Sequence, residues 1–432
     1  MADERGGKGG RDGEDGEGPA AGPQDGASGT RHRSEDPFEG RFRRDAATWL
    51  CYAGVAGVLG FEIGLGSAMP VIRDTLGVGL AIASLHFTAL AAAGTLSAAI
   101  SNRLAGVWGR GVLFRLSLGA CVMGCAGTAA GPSALWSILA VALFGFGGAL
   151  VVIAAQAELI ERHTVHAAAA MAEVNIAASL AMIAATLLTG PLTASPLTWR
   201  AALILPVAAL VLVQARLHRI HFSDRARPVA ARSRALVMTR TLWLLAAAVL
   251  CQTGFEWTMG FWGAEYLAGT TSLGDGAAAS AMTLFFAGIL AGRLVARSFA
   301  ARVRPLIVLT ASFGVGLAGF PILATAPSVP LKLVGLALCG AGIGNAYPMI
   351  AAEAGRAARG AIDGVLGRLT AISSSSVAAA PFVVGALGDA FGIGRAFWVL
   401  PAVLAGGVLA SVALMRGGPM ARQSATAPSR ST

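Results

Sequence analysis

Two acids carry most of the chemistry open to this chain. Glu62 ends the triplet Gly60-Phe61-Glu62, and Glu256 ends an identical triplet, Gly254-Phe255-Glu256, 194 residues later. Both lie deep in long apolar stretches, where an ionised carboxylate costs ~2.5–3.5 kcal/mol or more in a bilayer. A carboxylate held there without a cation takes up a proton. An acid that binds a proton from one side and releases it to the other ties proton movement to a change of shape, so both are candidates for proton coupling. The competing role is structural, a protonated Glu hydrogen-bonded to a neighbouring helix. Gln252 precedes Glu256 by four residues and shares its helical face. Trp257 and Trp262 add aromatic surface suited to a solute beside the same acid.

Glu173 is a third candidate for proton coupling. Asn175 follows two residues on and points about 200° away on a helix, so one can face a cavity and the other a neighbouring helix. Glu158, Glu161, His163 and His166 cluster just ahead without metal-ligand spacing. They read as a wet loop, and no metal site is expected. His86 reads as interfacial, and Ser373 to Ser376 as close packing. The five cysteines all fall in apolar runs and read as buried, reduced thiols.

The elements that position these residues follow from composition. The chain is 55% hydrophobic and 13% charged, against about 25% charged in soluble proteins. The net charge of +10 would suit nucleic acid on a soluble surface, but here the arginines punctuate apolar segments, so no nucleic-acid partner is expected. Residues 1–45 are polar and Gly-rich and read as a disordered cytoplasmic tail without a signal peptide. Twelve apolar stretches follow, most near the ~20 residues that span a bilayer. They are 46–69, 80–102, 112–130, 134–157, 166–190, 200–217, 240–266, 276–297, 304–325, 330–353, 364–388 and 395–415. Gly190-Pro191 reads as the end of the fifth. With both termini cytoplasmic, eighteen arginines fall in inner loops and helix ends, against four basic residues outside. Arg103 and Arg293 sit near inner ends and can snorkel. The asymmetry obeys the positive-inside rule and implies a multi-pass protein of the plasma membrane. A basic linker at 218–239 separates a six-helix half at 46–217 from a second at 240–415, and 416–432 forms a disordered cytoplasmic tail. The fold class expected is an all-α membrane protein, twelve transmembrane helices in two pseudo-symmetric six-helix bundles, a layout found among transporters.

Between the second and third stretches the chain reads Asn102-Arg103-Leu104-Ala105-Gly106-Val107-Trp108-Gly109-Arg110-Gly111. This resembles the Gly-x-Leu-Ala-Asp-Arg-x-Gly-Arg-Arg loop of the major facilitator superfamily, with Asn102, Gly106 and Val107 departing from it. The resemblance covers about 46–415 and makes Arg103, Gly109 and Arg110 a cytoplasmic gating loop. In that superfamily the first, fourth, seventh and tenth helices line a central cavity. The resemblance therefore places Gln156, Gln252, Asn345 and Tyr347 beside it, in a substrate cavity with Asn175, Trp257 and Trp262. Gly254-Phe255-Glu256-Trp257, Gly292-Arg293-Leu294 and Gly342-x-Gly344-x-x-Tyr347-Pro348 are similar to the fucose-permease-like branch. The acid and asparagine of that branch's fourth helix are missing here, which argues against sugar recognition of that kind.

The resemblance implies a monomeric secondary active transporter, moving a small organic solute by alternating access with a proton as coupling ion and no other cofactor. A proton-antiport exporter of drugs or secondary metabolites is the second reading. A non-transporting membrane enzyme or receptor is the third, and only the 158–166 region offers it clustered reactive groups. No Gly-x-x-x-x-Gly-Lys-[Ser/Thr] loop for ATP occurs.

Overall fold

The computed structural model describes residues 42–193, 195, 198–217, 238–299, 302–358 and 362–417. The tails expected at 1–45 and 416–432 and the linker at 218–239 therefore lie almost wholly outside the described residues.

Among the described residues the chain forms fifteen α-helices. The first half holds α1 (Ala46–Leu76), α2 (Leu80–Trp108), α3 (Arg110–Ala130), α4 (Ala134–Arg162), α5 (Ala167–Thr193) and α6 (Thr198–Leu217). The second holds α7 (Arg240–Thr270), α8 (Asp275–Ala281), α9 (Thr283–Phe299), α10 (Pro305–Thr325), α11 (Val329–Ile343), α12 (Ala346–Ala357), α13 (Ile362–Phe391), α14 (Ile393–Ala396) and α15 (Val399–Gly417). The pairs α8–α9, α11–α12 and α14–α15 each continue one another, so the fifteen helices make twelve crossings. Ten of these are long and apolar enough to cross a membrane by length and composition. The other two are α6 and α7. Twenty residues give α6 a rise of about 30 Å, the thickness of the hydrocarbon core. α7 is longer but carries Gln252, Glu256 and Glu265, which lower its hydropathy.

Local chemistry sets the ends. Asp45 caps α1 by accepting from the Thr48 amide at 2.9 Å and its hydroxyl at 2.7 Å. Ser133 caps α4, and Thr239 caps α7. α2 and α3 are joined by Gly109 alone, at φ 75°, a backbone that side-chain-bearing residues rarely adopt.

The helices run longer than the apolar stretches suggest, because polar residues continue a helix once it leaves the hydrocarbon. α4 extends to Arg162, so Glu158 and Glu161 lie on a helix and not in the wet loop expected. Gly190-Pro191 lies in the last turn of α5, which ends at Thr193. Proline has no N–H to give the carbonyl four residues back. That carbonyl, on Leu187, accepts instead from the Ser280 hydroxyl of the second half at 3.2 Å.

In the first half α1 packs on α4, α5 and α6, α2 on α4, and α3 on α4 and α6. In the second, α7 packs on α12, α13 and α15, and α9 and α10 pack on α11. The halves meet where α1 packs on α7 and α8, α2 on α13, and α5 on α8 and α9.

Candidate functional site

α1 and α7 cross where the repeat meets itself. Gly66 and Gly260 are equivalent across the 194-residue offset, and they touch. A Cβ on Gly66 would strike the Gly260 carbonyl oxygen and the Phe261 Cα, and one on Gly260 would meet the Ile63 side chain. Glu62 lies one turn from Gly66, and Glu256 one turn from Gly260, each about midway along its helix.

Helix geometry fixes where Glu62 points. Residues advance about 100° each around an α-helix. On α1, Gly54 and Phe61 face α4, through Val151 and a stack on Phe144 at 3.9 Å. Ile63 and Gly66 face α7. Gly60 and Gly64 face α5, and Gly60 also reaches Pro206 of α6. Glu62 falls in the sector between the α4 and α7 faces, away from the sector that meets α5 and α6. It is partly accessible and makes no hydrogen bond among the described residues. On α7, Glu256 falls between the residue that reaches Met282, Gly263, and the one that reaches α1, Gly260. It too is partly accessible. It accepts a hydrogen bond from Gln252 Nε2 on its own helix.

Arg293 does not snorkel to the bilayer edge. From α9 it donates to the Gly344 carbonyl at 3.1 Å and, across to the first half, to the Ser179 hydroxyl on α5 at 3.1 Å. Gly344 and Asn345 mark the break between α11 and α12. Asn345 is buried there and donates to the Gly292 carbonyl at 2.5 Å. Trp257 lies partly accessible beside Glu256, its ring 5.2 Å from Phe261.

The remaining candidates lie elsewhere. Trp262 is fully buried; its indole N–H donates to the Pro381 carbonyl at 2.8 Å, and its ring meets Phe87 edge-on. It packs between the halves and not on an open surface. Glu173 is tied to Arg44 through bonds of 2.7 and 2.5 Å and accepts from the Tyr52 hydroxyl at 3.0 Å. Asn175 is exposed and donates to the Met171 carbonyl of its own helix. Tyr347 is 41% exposed, and Gln156 is half-buried on α4. In the loop motif Arg103 is exposed, while Arg110 grips Glu161 with two bonds of 2.6 and 3.0 Å. Glu158, with no accessible side-chain surface, is ion-paired with Arg162 at 2.6 Å. Arg162 also holds Asp45 at 2.7 Å, and His163 bonds the Thr48 hydroxyl at 2.7 Å.

Residues without a sequence signal close the face remote from the termini. The Asp389 carboxylate accepts the Leu80 and Ala81 amides of α2 at 2.7 and 2.8 Å, across the two halves. It thereby satisfies N–H groups that a helix start leaves unpaired. Arg73 of α1 pairs with Glu265 of α7 at 3.1 Å. Beneath them Phe87 stacks on Phe261 at 4.0 Å. Thr88 donates to the Ala378 carbonyl at 3.0 Å, three residues before Pro381. On the other seam the Thr186 and Thr283 hydroxyls meet at 3.0 Å.

These features define a membrane transporter fold: two six-crossing halves meeting around acids at mid-depth, with one face closed. The chain belongs to the Major Facilitator Superfamily, whose family model matches residues 48–362. A comparison with curated protein sequences gave no match. Solved structures share the fold. The nucleoside transporter NupG superposes with a TM-score of 0.67 at 13% identity, covering 85% of this chain and 97% of that one. A D-xylose–proton symporter gives 0.70 at 13%, covering 86% and 98%. A bacterial homologue of the human drug peptide transporters PepT1 and PepT2 gives 0.64 at 15%, covering 88% and 99%.

Proposed function

We propose that this protein is a proton-coupled secondary active transporter that moves a small organic solute across the plasma membrane by alternating access. The observation that carries the reading is the placement of Glu62 and Glu256. They are equivalent in the repeat, lie one turn from the α1–α7 crossing, and keep accessible surface at mid-depth. The contacts that close the remote face support access for solute and protons from the terminus-bearing face, which the arginine distribution favours as cytoplasmic. Trp257 offers the solute an aromatic face, and Gln252 sets the surroundings of Glu256. Protonation removes a charge at mid-depth, which changes how strongly each opening is favoured.

Three solved relatives of the fold are named for nucleosides, D-xylose or peptides. These three classes are the first to screen by thermal shift of the purified protein. A solute that raises the melting temperature is then tested in reconstituted vesicles. An imposed pH gradient is expected to drive its accumulation. Glu256→Gln and Glu62→Gln are each expected to abolish gradient-driven accumulation while leaving solute exchange within about threefold of the parent. Flux in the parent that ignores the gradient rules out proton coupling. The gradient direction that drives accumulation separates uptake from antiport export.

A further inference from the structure

α15 presents four residues along one face at helical spacing: Leu409, Val412, Ala413 and Arg416. Arg240, the first residue of α7, stands opposite, and these five residues line a cavity of about 500 Å³. Its two ends differ in chemistry. At the deeper end Leu409 is 69% exposed. At the other, two guanidiniums face the same space, and neither makes a hydrogen bond or ion pair among the described residues.

The level of the two arginines decides what fits. Both stand at helix ends on the terminus-bearing face. Trp243, one turn into α7, and its repeat equivalent Trp49 are 60% and 58% exposed at that level. Exposed indoles favour the headgroup layer of a bilayer. The cavity therefore runs from the headgroup layer, where it is doubly positive, into the hydrocarbon, where its wall is apolar. A phospholipid with an acidic headgroup has the same polarity in the same orientation.

We infer that the α7–α15 groove binds an anionic phospholipid, with the headgroup phosphate held by Arg240 and Arg416 and an acyl chain laid along Leu409, Val412 and Ala413. Among the described residues the first half has no counterpart of Arg240. The first-half position equivalent to Arg240 is Ala46, and its neighbour Asp45 is an acid paired with Arg162. The bound lipid braces the terminus-bearing end of α7, the helix that carries Glu256, against α15.

The test is native mass spectrometry of the full chain, released from detergent with phosphatidylglycerol or phosphatidylcholine added at equal concentration. The parent is expected to retain phosphatidylglycerol preferentially. Two arginines at a charged lipid surface account for roughly a thirtyfold difference in affinity. Arg240→Gln/Arg416→Gln is expected to lose the preference by about that factor. Arg240→Lys/Arg416→Lys keeps the charges and should retain most of it. Arg302→Gln/Arg304→Gln removes two exposed arginines elsewhere and should leave it intact. Equal retention of both lipids by the parent overturns the site, as does a Gln pair that binds like the parent. An equal loss in the Arg302 and Arg304 control reduces the effect to net charge and also overturns it. Inorganic phosphate that displaces the lipid at matched concentration would show an anion site without a lipid groove.

Discussion

Asp45 shows what one side chain does at the edge of the bilayer. Burial pushes its carboxyl up, but the Thr48 hydroxyl and amide and the Arg162 guanidinium outweigh burial and hold it below the usual carboxylate range. A depressed carboxyl contributes stability above its ordinary value of about 3.9, and that contribution disappears as pH falls through the folded value. Asp45→Ala is expected to cost about 1 kcal/mol at pH 7, the usual worth of such a cap. The gap in melting temperature between parent and variant should shrink as pH falls from about 4 through the folded value; a gap that does not change with pH would show that the cap acts without charge. Glu62 and Glu256 differ at the same scale despite their shared sequence context. Glu256 has a bond from Gln252, whereas Glu62 has no bonded partner among the described residues.

Among the elements, α1 depends on small residues at two places for different reasons. Gly66 has no room for a Cβ, because Gly260 and Phe261 backbone atoms occupy it, whereas a Cβ on Gly64 would meet only the Ala185 methyl at 3.8 Å. Gly66→Ala should therefore push α1 and α7 apart, at a cost of about 1–3 kcal/mol. Gly64→Ala should be neutral or stabilising by about 0.4–1 kcal/mol, since alanine loses less chain entropy on folding. Thermal unfolding of both variants in one detergent decides this, and equal melting temperatures would refute the crossing. The prolines of α5 and α13 act at this scale too. Each helix offers a carbonyl near its proline to a hydroxyl of the other half: Leu187 to Ser280, and Ala378 to Thr88.

For the whole molecule, the face remote from the termini is held by groups that two halves share. The Asp389 cap on α2 is exposed and worth about 1 kcal/mol as a carboxylate at a helix start. Asp389→Asn should raise the population open at that face about fivefold. A cysteine placed at Ala91, buried on α2 beneath the cap, reports it through its rate of reaction with a membrane-impermeant thiol reagent. An unchanged rate would mean that the packed aromatic rings alone keep the face shut.

Much of this molecule was legible as a string. Apolar stretches of bilayer length, the 194-residue repeat and the two mid-span acids depend on local composition and spacing, which no tertiary contact alters. Helix ends are less legible: α4 takes in Glu158 and Glu161. Which polar groups meet was decided only by the tertiary structure. Glu173 found Arg44, 129 residues away, Arg293 found Ser179, and Asp389 reached Leu80 across 309 residues. A membrane helix is apolar on every face, so its sequence does not say which face meets which neighbour. Close packing at glycines sets that, and packing then brings the few polar groups together.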